Sequence, residues 1–171
     1  LKLGIRFDVT TDIGRLETIH LSPGYWIHSG LPGAPSRPQA FKKWMRENST
    51  AIHMLRSDWE YGTDVTVEGY HTGLLISGSP RGFPNAQFSD FNLIDCTRPL
   101  YIKGSNKIGL AFTRCRFEGA ETACETSTAF NAIAQFHDCS FKGAKAVVNN
   151  GPGHLSFQHC SFLQGALEAE T

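Results

Sequence analysis

Arg56-Ser57-Asp58-Trp59-Glu60-Tyr61 concentrates two carboxylates, a guanidinium and two aromatic rings in six consecutive residues, the densest chemistry in the chain. Glycoside hydrolysis uses such a pair of carboxylates, one as acid and the other as base or nucleophile. On a β-strand Asp58 and Glu60 share one face, roughly 7 Å apart at standard rise, which lies within the range of paired acids. The competing reading is structural, since Arg56 can pair with either carboxylate and brace a turn. Asp12, Glu17 and Glu68 complete the candidate acids; Glu17 stands two residues from Arg15, where a salt bridge fits better, and Glu68 is placed to cap the turn at Gly69. Flat rings suit sugars because a pyranose stacks its apolar face on them and keeps its hydroxyls free. Tyr25, Trp26, Trp59 and Tyr61, with Arg56, are therefore the candidate substrate-binding residues, although Trp26 and Trp59 could equally pack beneath an inserted helix.

Other chemistries find less support. Lys plus Arg equals Asp plus Glu at 16 each, so no basic field attracts nucleic acid or anionic lipid. No apolar run approaches the roughly 20 residues that cross a bilayer, and neither nucleic acid nor membrane is expected as a partner. Cys115, Cys139 and Cys160 recur at one repeat position that Phe91 fills in the preceding copy, so the slot calls for a small apolar group and buried free thiols. No CxxC pair occurs, and the histidines lack metal-ligand spacing, so neither a metal nor another cofactor is expected. Asp90 and Asp138 share a column, but Arg114 between them argues against a calcium ladder and for a solvated face whose side chains satisfy one another.

The residues above must be positioned by something, and the rest of the chain says what. One phrase occurs four times: Phe88-Ser-Asp-Phe91-Asn-Leu93, Phe112-Thr-Arg-Cys115-Arg-Phe117, Phe136-His-Asp-Cys139-Ser-Phe141 and Phe157-Gln-His-Cys160-Ser-Phe162. The leading Phe returns after 24, 24 and 21 residues. A period of this size marks a solenoid, because each copy is too short to bury its own apolar face and must stack on its neighbours. Val65-Thr-Val67 and Leu16-Glu-Thr-Ile19-His-Leu21 extend the pattern backwards. Leu74–Ile76, Leu100–Ile102 and Ala146–Val148 supply second strands followed by Gly, Asn or Ser turns, and Gly119, Gly143 and Gly165 close the first strands. The fold class is all-β, a single-stranded right-handed parallel β-helix over 1–171. The step of three from Phe112 to Cys115 breaks alternation and implies a bend or bulge there.

Residues 24–50 interrupt the repeat as a loop and a short helix over 37–48. Ser36 and Gln39 resemble a capping box, Pro38 fits the first turn, and Phe41, Trp44 and Met45 form an apolar stripe. Insertions in solenoids collect on one face, often the binding face. A chain that opens on the strand-like Leu1-Lys-Leu-Gly-Ile-Arg-Phe7 reads as a piece of a longer polypeptide.

Three stretches, Asp12-Ile-Gly-Arg15-Leu-Glu17-Thr-Ile-His-Leu-Ser-Pro23-Gly-Tyr-Trp26, Arg56–Tyr61 and Val67-Glu-Gly-Tyr70-His-Thr-Gly73, resemble the pectate-lyase-like superfamily of right-handed parallel β-helices. Within it the resemblance is to the laminarinase-type, exo-β-1,3-glucanase-like branch. It implies a secreted or cell-surface protein holding an extended polysaccharide or oligosaccharide along the flank of the helix. The leading expectation is a glycoside hydrolase with Asp58 and Glu60 as its acids. A non-catalytic binding or structural β-helix of tailspike or adhesin type, whose oligomer would leave an apolar seam, and a polysaccharide lyase are the alternatives.

Overall fold

In a computed structural model, which describes residues 2–164 and 167–169, the repeat folds as a parallel β-solenoid of about five turns. Leu1 and Gly165 lie outside the described residues. Each turn places one strand in a seven-stranded sheet and then one longer strand, or two short ones, in a nine-stranded sheet. The seven-stranded sheet stacks β1 (Leu3–Phe7), β3 (Thr50–Met54), β5 (Thr72–Ile76), β7 (Arg98–Ile102), β10 (Thr122–Thr126), β13 (Lys145–Asn149) and β16 (Leu167–Ala169). Of these, β10 was not legible, since Thr-Ala-Cys-Glu-Thr carries little apolar signal. The other sheet begins with three long strands, β2 (Gly14–Leu21), β4 (Glu60–Glu68) and β6 (Ala86–Cys96). It continues as pairs of short ones: β8 (Leu110–Thr113) with β9 (Arg116–Gly119), β11 (Ile133–His137) with β12 (Ser140–Lys142), and β14 (His154–Gln158) with β15 (Ser161–Gln164).

The break in alternation is a backbone bend. Thr18, Asp64, Asp90, Arg114, Asp138 and His159 occupy one column, and each has φ between 52° and 56°. A single left-handed residue turns the strand so that the apolar residues on both sides of it point inward. Thus Phe88, Phe112, Phe136 and Phe157 stack on one side, centroids 4.9 to 5.2 Å apart, while Phe117, Phe141 and Phe162 stack on the other at 5.2 and 5.3 Å. Edge-to-face contacts lock the two ladders together, for example Phe112 on Phe117 at 5.8 Å. In the second turn the Phe slot is held by Gly62, because a Cβ there would lie 2.5 Å from the Phe91 ring of the next turn.

The bend column faces solvent, and four of its six side chains pair with one another. Arg114 grips Asp90 with two hydrogen bonds, 2.9 and 2.6 Å, and this contact holds the Asp90 carboxyl below its ordinary value. His159 lies 3.7 Å from Asp138. The five cysteines are free thiols, four of them buried. Cys115, Cys139 and Cys160 each direct sulfur to backbone carbonyls at 3.3 to 3.7 Å, behaving as small core residues with weak donors.

The insertion between β2 and β3 contains two helices, α1 (Pro23–Ile27) and α2 (Pro38–Asn48). The short α1 starts at Ser22, whose Oγ accepts the Gly24 N–H at 3.1 Å. The expected capping box at α2 is not formed, because the N-cap is Arg37 and no side chain caps the helix. Met45 is buried, Phe41 packs at the edge of the core, and Trp44 stays partly exposed. Lower down, α2 is tied to the turns after the nine-stranded sheet: His71 N–H reaches Met45 O at 3.1 Å, and Thr97 Oγ1 reaches Arg46 O at 2.7 Å. Among the described residues no helix is long and apolar enough to cross a membrane.

Candidate functional site

The residues singled out by sequence divide between the two ends of β4. At its start, Trp59 has φ 55° and turns the chain, so Asp58 and Glu60 do not lie on one strand face. Asp58 is partly exposed and ion-paired with Arg56, whose other nitrogen donates to Thr10 O at 2.8 Å. Glu60, the first residue of β4, points inward and is 1% exposed. Its Oε2 accepts from Ser57 Oγ at 2.9 Å, and Thr10 Oγ1 donates to the same serine at 2.5 Å. Gly14 on the adjacent strand leaves the space for that carboxylate, since a Cβ there would come within 2.2 Å of Oε2. Asp58 is thus neutralised by a guanidinium and Glu60 is screened from any ligand. Trp59 stands exposed at the turn, and Tyr61 sits half-buried on the outward side of β4 between Arg15 and Gln87.

At the other end, the close of β2 and the two helices enclose a cleft of about 700 Å³. Leu21, Pro23, Phe41, Met45 and Tyr70 make its apolar floor, and Tyr25 and Trp26 stand at it with 59% and 40% of their surface exposed. Burial also raises the Tyr70 phenol above its ordinary value. A hydrogen-bonded chain borders the cleft: Tyr25 OH to His20 Nδ1 at 2.5 Å, and His20 Nε2 to Glu68 Oε1 at 2.8 Å. A carboxylate only accepts, so Nε2 carries a proton, and with Nδ1 unprotonated Tyr25 donates to it. The phenol oxygen keeps lone pairs for a ligand hydroxyl, and its ring is fixed edge-on to His20, 4.9 Å away. Ser22 Oγ also lies 3.4 Å from Glu68 Oε2, so Glu68 serves His20 and Ser22 rather than the turn at Gly69.

Beside this cleft a smaller cavity of about 210 Å³ is lined by Glu68 and Asp95 together with Lys42 and Arg46. Glu68 is in register with Ile94, which places Asp95 one residue along on the neighbouring strand. Arg46 forms an ion pair with Asp95. Glu17 pairs with Arg15 at 3.4 Å, as the spacing suggested.

His20, Glu68 and Asp95 were missed as a group because nothing in linear spacing joins them. Spacing aligns His20 with Thr66, but it does not show that the His20 ring reaches Glu68 two residues further along, or that the insertion folds back to bring Tyr25 onto it. A signal did exist: His20, Thr66, Asn92 and Arg116 occupy one outward repeat position.

Fold and strand register place the chain in the class of parallel β-solenoids. Beyond that class, no family model, no curated protein and no solved structure matches it.

Proposed function

We propose that this protein is a carbohydrate-binding β-helix whose glycan site is the cleft bordered by Tyr25 and Trp26. One observation carries the reading: two exposed aromatic rings stand at a preformed cleft beside a chain of hydrogen-bonding groups, Tyr25, His20, Glu68 and Ser22. Rings supply the stacking surface for a pyranose, and the polar border supplies partners for its hydroxyls. Sequence resemblance to the pectate-lyase-like superfamily, with its secreted and surface proteins, supports the same ligand class. The test is titration of the chain with a panel of oligosaccharides. Binding by one glycan that falls at least about tenfold in both Tyr25→Ala and Trp26→Ala is the expected result. Binding that survives both substitutions excludes this cleft.

A second reading, glycoside hydrolysis, is favoured by the cavity that Glu68 and Asp95 share next to the cleft. Glu68 is then the proton donor and Asp95 the second carboxylate, in place of Asp58 and Glu60. Release of reducing ends that Glu68→Gln abolishes while glycan binding persists supports hydrolysis. Ultraviolet absorption from unsaturated uronates assigns a lyase instead.

A further inference from the structure

Among the described residues, large apolar side chains exposed to solvent fall in three places: the insertion, strand β15 and one column of turns. The third group lies on the connections that lead from the seven-stranded sheet to the nine-stranded one. It contributes Val9 and Ile13 from the first turn, Trp59 from the second, Phe83 from the third, Ile108 from the fourth and Ile133 where the fifth enters β11. Their exposures run from 41% to 65%. At about 4.8 Å per turn of the solenoid, this seam runs roughly 19 Å along the axis.

The seam is built on a rigid support. Val9 N–H donates to Arg56 O at 2.7 Å, Asn85 N–H to Ser57 O at 3.2 Å, and Asn106 Nδ2 to Asn85 Oδ1 at 2.8 Å, so consecutive loops are tied together. Phe83 packs against Gly78 and Gly104, where a Cβ would meet its ring at 2.6 and 2.5 Å. Val9 holds its position at φ 60°, a strained conformation for a β-branched residue, and still turns its side chain to water. Rigid apolar side chains lose little freedom on docking. Only Trp59 and Phe83 carry rings; the other four residues, Val9, Ile13, Ile108 and Ile133, give a sugar nothing to stack on, so the matching partner is protein.

Charge selects which protein. Asp12 lies at the first-turn end of the seam, where Asp8 is already paired with Arg6; Arg56, Asp58 and Arg81 lie near the middle, and Lys103 and Lys107 lie in the fourth turn. An antiparallel copy sets Asp12 opposite Lys107 and Arg81 opposite the Arg56–Asp58 pair, whereas a parallel copy sets each basic residue against itself. Formal net charge is zero, so no overall repulsion opposes pairing. We propose that a second copy of this chain packs antiparallel along the seam, about a two-fold axis near Trp59 and Phe83, forming a closed homodimer. The glycan cleft lies at the opposite end of β4 and stays open in it.

Sedimentation equilibrium across the micromolar range tests this. The mass is expected to rise from 18.8 kDa toward twice that value, and less so at high salt. Ile108→Ser and Phe83→Ser should each weaken association at least about tenfold. Ile108 is 61% exposed, so its variant leaves the core intact even where the Phe83 loop does not tolerate change. Asp12→Lys and Lys107→Asp should each weaken the dimer, and the two together should restore it. A chain that stays monomeric throughout overturns the proposal. So does a dimer indifferent to Ile108→Ser, one lost instead by Leu163→Ser on β15, or a double charge reversal without rescue.

Discussion

Replacing Phe112 by alanine removes one of the two inner rings of the longer aromatic ladder. Phe112 is fully buried, stacked on Phe88 and Phe136 at 4.9 Å with interplanar angles of 18° and 8°, and touched edge-on by Phe117. Truncating a buried Phe costs about 3–5 kcal/mol, and each lost aromatic pair adds about 0.5–1.5 kcal/mol beyond area. The strand cannot collapse into the gap, because parallel pairing on both sides holds its backbone. The expected loss is therefore near the upper end, about 4–5 kcal/mol. Phe157→Ala removes a ring that loses as many aromatic contacts, to Phe136, Phe141 and Phe162, but is only partly buried, so its cost should be smaller, about 2–3 kcal/mol. Urea unfolding followed by circular dichroism gives the two differences, and hydrogen exchange locates them. In a solenoid each turn touches only its neighbours, so protection should fall first in β8 and β11. A loss below about 2 kcal/mol for Phe112→Ala, or equal losses for both variants, refutes the ladder as a cumulative support.

Gly14→Ala should cost about 2–3 kcal/mol by driving a Cβ into the Glu60 carboxylate, and Glu60→Ala in the same chain should recover part of it, read as shifts in urea midpoint. His53 is held below 6.5, first by burial and then by the charges of Arg6 and Lys103. The unfolded chain therefore binds this proton more readily, so stability is full above pH 6.5 and declines as pH falls from there through the folded value; His53→Gln should flatten that part of the pH dependence of the urea midpoint. Burial pushes the Cys96 thiol up to about 12, and Cys115 and Cys124 are raised as well, so under native conditions an alkylating reagent should modify the half-buried Cys160 ahead of these three. Peptide mass mapping after brief exposure checks the order.

Repetition made the architecture readable. A Phe that returns at the same place in every copy has one physical use, stacking in register, and Val65, Val67, Ile19 and Leu21 fall into the columns that their spacing assigned. The helix over 38–48 was also legible from Phe41, Trp44 and Met45, within one residue at its start. Missing from the sequence was the direction of side chains wherever the backbone leaves regular geometry. Alternation placed Asp58 and Glu60 on one face, and the left-handed residue Trp59 between them sends one to solvent beside Arg56 and the other into the core. Pattern can specify a column because every turn repeats the same burial requirement. By contrast, the cleft and the cavity beside it take Tyr25 from the insertion, His20 and Glu68 from two strands and Asp95 from a third, and the path of the insertion over those strands is set by packing, so only the tertiary structure could assemble them.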